Sequence, residues 1–226
     1  MMQDNFTTIQ NRIQFACDKH GRSLSEITLI WVSKTKPLQA VFEAQKCGAI
    51  HFGENKVQEA IEKFSVPLAN TELHIIGPIQ SNKLRKAIAV SQWIHTFDDL
   101  DKLNKANSIA QQLGKVIHVF FQVNTSFEES KSGLSPENLD EFLSSLPHHQ
   151  NLIYRGLMTI GPNSGLAEDA VEGFKWLKAQ QKKWFNHDSR FSSFDSLSMG
   201  MSADLELAIE CGSTHIRIGS ALFGNR

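Results

Sequence analysis

Cysteine is scarce and scattered: Cys17, Cys47 and Cys211 are the only three in 226 residues. An odd number with no CxxC pair excludes a disulfide framework and a cysteine-based zinc site, and reduced thiols in a cytoplasmic protein are the expectation. Hydrophobic runs are short, none approaching the ~18 residues of a membrane-spanning helix. The opening Met1-Met2-Gln3-Asp4-Asn5 lacks the basic-then-apolar order of a secretion signal, so none is expected. Neither charge sign dominates, since 23 Lys and Arg against 24 Asp and Glu leave a net charge of −1. The basic excess that draws a chain to nucleic acid or to a membrane surface is therefore missing. Local clusters at Lys83, Arg85 and Lys86 and at Lys182 and Lys183 fall within helical patterns and read as solvated faces. No Pro-, Gly- or Ser-rich linker breaks the composition, so residues 1–226 read as one domain.

What is present is a regular alternation. Apolar positions at Phe6, Ile9, Ile13, Phe15 and Ala16 mark an opening helix. Short apolar runs then follow at 27–33, 49–53, 73–77, 93–97, 116–123, 153–160, 195–199 and 214–218. Helical stretches separate them at about 38–47, 55–63, 80–90, 99–113, 136–146, 167–186 and 203–211. Eight strands with helices between them predict parallel βαβ units and an α/β fold, a (β/α)8 TIM barrel, with an open doubly wound sheet as the alternative.

Chemistry in such a barrel belongs at the C-terminal ends of the strands. The first strand ends in Ser33-Lys34 and is stopped by Pro37. Burial of a lysine there would disfavour its ammonium form and make a Schiff-base nucleophile; the plainer alternative is a surface lysine just past a strand. The seventh and eighth strands end in Ser198-Met199-Gly200-Met201-Ser202 and Arg217-Ile218-Gly219-Ser220. Gly200 and Gly219 either let backbone approach a phosphate or merely permit tight turns. Ser202 is a candidate N-cap, with Asp204 in the first turn after it. Arg217 lies between Ile216 and Ile218, so it points opposite to them and needs either a structural salt bridge or a ligand. An amine, a phosphate cup and a buried guanidinium on one rim fit a phosphorylated carbonyl compound with a ring nitrogen, a description that pyridoxal phosphate meets.

The chain resembles the YggS/PROSC family of pyridoxal-phosphate-binding homeostasis proteins, which share the barrel of the alanine racemase N-terminal type. The resemblance runs from about residue 8 to the end. It is carried by Val32-Ser33-Lys34-Thr35-Lys36-Pro37, Phe52-Gly53-Glu54-Asn55, Val57-Gln58-Glu59 and the run His74 to Lys83, then by Ser130-Lys131-Ser132-Gly133, Arg155-Gly156-Leu157-Met158, the run Leu197 to Ser202 and Arg217-Ile218-Gly219-Ser220. It implies that Lys34 holds pyridoxal phosphate as an aldimine. Ser198, Gly219 and Ser220 then hold the phosphate, Asn55 lies near the ring and Arg217 faces the pyridine nitrogen. A guanidinium there keeps that nitrogen unprotonated and weakens the ring as an electron sink. Lys56 stands where the family often has Tyr, and Ser220 where it often has Thr.

His74 and Met158 are placed on the same rim, and Met201 beside the phosphate loop. His74 is either an acid–base group or a hydrogen-bonded core residue. Lys131 and Lys83 are either anion ligands or solvated. His51, His74 and His95 occupy three strands with no carboxylate pattern beside them, so no metal is assigned. Racemisation needs a second base, yet the single tyrosine, Tyr154, starts the sixth strand at the wrong end, and Arg226 follows closely on the eighth. No catalytic residue is assigned. The reading is a cytoplasmic, monomeric pyridoxal phosphate carrier that meets PLP-dependent apo-enzymes transiently. The alternatives are a PLP-dependent racemase or decarboxylase-like enzyme borrowing a partner's residue, and a lysine Schiff-base aldolase.

Overall fold

Eight parallel strands close on themselves in the computed structural model, which describes residues 2–126, 128, 131–162 and 166–224. Met1, Ser130 and Arg226, which entered the sequence reading, lie outside those residues. The strands are β1 (Thr28–Val32), β2 (His51–Glu54), β3 (Glu72–Ile75), β4 (Trp93–Phe97), β5 (Ile117–Gln122), β6 (Leu152–Met158), β7 (Ser196–Ser198) and β8 (His215–Ile218). Each pairs with its sequence neighbour, and β8 returns to β1 through Ile30 opposite Arg217 and Trp31 opposite Ile218. That closing pair excludes the open-sheet alternative.

The helices are α1 (Met2–Lys19), α2 (Leu38–Lys46), α3 (Val57–Phe64), α4 (Leu84–Val90), α5 (Leu100–Gln112), α6 (Leu139–Ser145), α7 (Val171–Trp184), α8 (Leu205–Glu210) and α9 (Ser220–Phe223). The helices expected at 80–90, 136–146 and 167–186 begin as tighter 3₁₀ turns before α4, α6 and α7. Pro136 opens one of them, its fixed φ suiting a first helical position.

Alternation along each strand divides the residues between two environments. Outward positions such as Trp31, Phe52, Leu73, Phe121 and Ile216 are buried under the helices in one continuous apolar layer. Trp31 sits between Phe6 of α1 and Phe223 of α9, at ring distances of 5.2 and 5.7 Å. Burying such an aromatic contributes roughly 2–3 kcal/mol. On α1, Ile9, Ile13, Ala16 and Cys17 are buried on one face, and Arg12 grips Glu206 of α8 with two bonds of 2.6 and 2.8 Å.

The inward face is unusually polar. His74, His95, His215, Ser198 and Arg217 are all at most 5 % exposed there. Apolar filling is confined to two small groups, Ile30, Val32 and Ile76 in one and Trp93, Phe120 and Met158 in the other. Gly156 makes the β6–β7 pairing possible, since a Cβ there would lie 1.8 Å from the Ser196 carbonyl oxygen and its φ is +151°.

Candidate functional site

Past the end of β1, Lys34 shares a cavity of about 320 Å³ with Val32, Thr35, Lys36, Gly219, Ser220 and Gly224. Three of the expected residues thus meet in one place, because β1 and β8 are neighbours in the closed barrel. The burial expected of Lys34 is corrected: it stands exposed on the loop, while Ser33 beside it is fully buried. Lys36 donates to the Gly224 carbonyl at 3.0 Å and ties this loop to the end of α9.

Arg217 lies below this cavity, at the level of Ile30. Its guanidinium donates to Ser198 Oγ at 2.7 Å and to the Thr159 carbonyl at 2.8 Å. Among the described residues it forms no ion pair, so the salt-bridge reading does not hold. Burial brings its pKa down to about 10, which leaves the cation intact at neutral pH. Two of its five N–H donors are engaged by these contacts. The interior therefore contains a positive charge whose direct contacts are a hydroxyl and a carbonyl, with the buried Asp204 carboxylate acting on it from beyond hydrogen-bond distance.

The turn after β7 has a different logic from the one expected. Asp204, not Ser202, is the N-cap of α8, and its carboxylate accepts the Met201 backbone N–H at 2.6 Å. A Cβ on Gly200, at φ +97°, would lie 2.5 Å from Ala208 Cβ, so packing against α8 requires the glycine. Met201 is exposed on this turn, and Asn55 is half-buried just past β2. Gly77 is needed beside Asn55, whose carbonyl oxygen would be 2.2 Å from any Cβ there. Met158 packs with Trp93 and Phe120 inside the barrel. Met158, Met201, Asn55, His74, Arg217 and Ser198, the last expected on the phosphate, do not line the Lys34 cavity.

His74 is not on the rim. It is fully buried within the barrel, stacked on Trp93 with ring centroids 5.1 Å apart. Its Nε2 lies 3.0 Å from His51 Nδ1 and its Nδ1 lies 2.9 Å from His95 Nε2. His95 Nδ1 in turn lies 2.9 Å from Ser198 Oγ. Arginine only donates, so Ser198 accepts from Arg217 and keeps a hydroxyl proton and a second lone pair with which to meet His95. Arg217, Ser198, His95, His74 and His51 thus form one continuous hydrogen-bonded chain through the barrel. Burial holds His74 and His95 well below the ordinary imidazole range and brings His215 down to about 3, so these rings are neutral.

Glu54, Glu59, Lys63 and Glu72 had no assigned role in the sequence reading, while Lys56 and Lys131 did. Glu54 Oε1 accepts from Ser33 Oγ at 2.7 Å and from Lys63 Nζ at 2.8 Å, and Lys63 also donates to the Ser33 carbonyl at 2.7 Å. Glu59 accepts the Thr35 backbone N–H at 2.7 Å. Lys56, mostly exposed, points toward Glu59 at 3.9 Å, so it is a surface partner of α3. Lys131 donates to the Gly161 carbonyl at 2.6 Å and pairs with Glu128 at 2.9 Å. Glu72 is the carboxylate that the histidine pattern lacked, as it pairs in register with His51.

Residues 7–226 match the family model "Alanine racemase, N-terminal domain". The chain is 39 % identical over 230 residues to the pyridoxal phosphate homeostasis protein of Vibrio alginolyticus, covering 100 % of this chain and 97 % of the relative. It is 38 % identical over 227 residues to that of Escherichia coli K12, covering 98 % and 95 %. The chain belongs to the pyridoxal phosphate homeostasis protein family. The structure of PipY of Synechococcus elongatus PCC7942 with PLP bound superimposes with a TM-score of 0.85 at 31 % identity, covering 99 % of this chain and 100 % of that one. The alanine racemase of Clostridium difficile 630 shares the fold alone, with a TM-score of 0.71 at 15 % identity, and this chain spans 56 % of its length.

Proposed function

We propose that this chain binds pyridoxal 5'-phosphate at Lys34 and acts as a carrier that keeps the cofactor within the cell and releases it to apo-enzymes, without substantial catalysis of its own. The observation that carries the reading is the cavity joining Lys34 to Gly219 and Ser220, with the Arg217 cation below it. The donor set fits the group. A cavity near 320 Å³ lies at the small end of ligand sites, which run from ~300 Å³ upward. A Cβ at Gly219 would sit 3.4 Å from the Val32 carbonyl oxygen, so any larger residue would narrow the space beside Lys34.

When bound, the cofactor supplies an aldehyde that condenses with primary amines. Lys34 supplies the amine, and its exposure leaves it reachable for exchange with another amine. Ser220 offers a hydroxyl and Gly219 an unobstructed backbone to the phosphate. Arg217, still charged at neutral pH, keeps a neighbouring ring nitrogen from taking up a proton. That favours holding over carbanion chemistry. Ser198 orients the guanidinium, and Asn55 stands at the end of the neighbouring strand.

A racemase reading finds little support in the described residues. Tyr154 donates to the Pro147 carbonyl at 2.8 Å and packs on Phe121 and Phe191, outside the barrel and near the N-terminal end of β6. The carrier is expected to be a cytoplasmic monomer. The test is absorbance of the purified chain with and without pyridoxal phosphate, then borohydride reduction and mapping of the modified peptide. A violet-absorbing adduct on Lys34, absent in Lys34→Ala, supports the reading. Adducts on surface lysines alone, or a colourless chain that traps a sugar phosphate, would overturn it.

A further inference from the structure

The strongest feature not used by the proposed function lies at the opposite mouth of the barrel. His51 and Glu72 open β2 and β3, are paired in register and point into the N-terminal end. His51 Nδ1, His74 Nε2 and a Glu72 carboxylate oxygen all lie within 4.8 Å of one another. The two nitrogens are 3.0 Å apart, and His51 Nδ1 is 3.8 Å from Glu72 Oε2. Tetrahedral zinc with bonds of ~2.0–2.1 Å places neighbouring ligand atoms about 3.3 Å apart. The observed spacings bracket that value. An ion would fit once the two imidazoles turn their lone pairs from each other onto it and the Glu72 oxygen closes in.

We infer that His51, Glu72 and His74 form a zinc-class divalent metal site at the floor of the barrel, with water as the fourth ligand. Two imidazoles and a carboxylate are a borderline donor set that suits zinc better than calcium or magnesium. The His51 and Glu72 side chains are 26 % and 43 % exposed, which gives the ion an entry path and a place for water. Supporting contacts are already in place. Trp93 Nε1 donates to Glu72 Oε2, and His95 Nε2 meets the far nitrogen of His74. Such partners orient metal ligands and fix their tautomers.

Metal binding also reverses the internal relay, without gain or loss of protons. In the metal-free tautomer in which Ser198 donates to His95, Nε2–H of His74 donates to His51. The ion takes that lone-pair position, so the His74 proton moves to Nδ1 and donates to His95. His95 then carries its proton on Nδ1 and donates to Ser198, whose hydroxyl turns away toward the rim. The floor and the Arg217 end are thereby coupled through three rings and one hydroxyl.

The experiment titrates the chelator-treated full chain with zinc chloride by calorimetry and with cobalt(II) by visible absorption. The wild type is compared with His51→Gln, Glu72→Gln and the surface control His20→Gln, which alters a separate His–Glu pair. Expected are one zinc per chain, a four-coordinate cobalt spectrum, and a loss of at least tenfold in affinity in the first two variants only. Nitrogen-15 spectra should move the His74 proton from Nε2 to Nδ1 on zinc addition. Circular dichroism identifies any variant that fails to fold, and either variant alone suffices. No stoichiometric binding by the wild type, or binding unchanged in both floor variants, would overturn the site. Neither result depends on pyridoxal phosphate.

Discussion

The Glu59 carboxylate accepts the backbone N–H of Thr35 at 2.7 Å, and so ties α3 to the loop that carries Lys34. Thr35 has φ +64°, a left-handed conformation that costs a β-branched residue ~1–2 kcal/mol. One carboxylate on a neighbouring helix therefore holds a strained residue adjacent to the proposed nucleophile. Replacing Glu59 with Ala frees that N–H and lets the loop relax. The expected result is about a tenfold weaker affinity for pyridoxal phosphate, near 1.4 kcal/mol, with the fold intact. Titration followed by absorbance measures it, and an unchanged affinity would show that the loop needs no such anchor.

The pair beneath that loop carries more energy. Lys63 and Glu54 meet at 2.8 Å with side chains 8 % and 0 % exposed, and Glu54 Oε2 has no partner among the described residues. Removing one partner of a buried pair typically costs 3–5 kcal/mol, whereas an apolar replacement of both is often neutral. Lys63→Met should therefore destabilise by about 3 kcal/mol or more, and Glu54→Leu/Lys63→Met should recover most of it. Burial pushes the Glu54 carboxyl up in spite of Lys63. A carboxyl whose folded pKa is raised favours folding at low pH and loses that contribution as pH rises through the folded value. Lys63→Met removes the opposing charge and raises that pKa further. Urea unfolding between pH 5 and 8 should then show the variant losing stability faster with rising pH than the wild type.

Much of the barrel follows from period and punctuation. The run 27–33 is apolar because both faces of a parallel strand are covered, and Pro37 lies past its end as the N-cap of α2. The rim followed once the strands were counted, since the ends of the first and eighth strands must adjoin in a closed barrel. What escaped the sequence depends on side-chain reach across elements. Glu59 and Thr35 are 24 residues apart, and nothing in their spacing announces a bond between a helix carboxylate and a loop N–H. Glu72 went unnoticed beside His51 for the same reason: register between β2 and β3 is a property of the sheet, not of either segment. His74 was misplaced because two residues of strand length decide whether a side chain reaches the rim or stays inside. Gly200 was open between ligand approach and a tight turn, and its neighbour is Ala208 of α8.

The glycines separate fold from binding. Gly156→Ala would put Cβ 1.8 Å from the Ser196 carbonyl oxygen at φ +151°, which backbone cannot accommodate without breaking the β6–β7 pairing. Loss of soluble protein is the expected outcome. Gly219→Ala is milder, with its Cβ at 3.4 Å from the Val32 oxygen and φ −114°. Its stability should stay within about 1 kcal/mol of the wild type, as for most substitutions away from strained positions. Its pyridoxal phosphate affinity should nevertheless fall, because the methyl group enters the Lys34 cavity. Thermal melts and cofactor titrations on the two variants distinguish these effects, and normal binding by a folded Gly219→Ala would move the phosphate away from α9.

Arg217 tests the proposed restraint on chemistry. Arg217→Met keeps the length and removes the charge, leaving Ser198 Oγ and the Thr159 carbonyl without their donor. Each orphaned group costs ~1–3 kcal/mol, so a measurable fall in melting temperature is expected from the fold alone. The functional readout is separate. With the guanidinium gone, a cofactor ring nitrogen would be free to take up a proton and draw electrons more strongly. Deuterium exchange at the Cα of alanine, followed by NMR in heavy water with loaded protein, should rise above the wild-type rate. A drop in stability with no increase in exchange would show that Arg217 organises the barrel interior without restraining the cofactor.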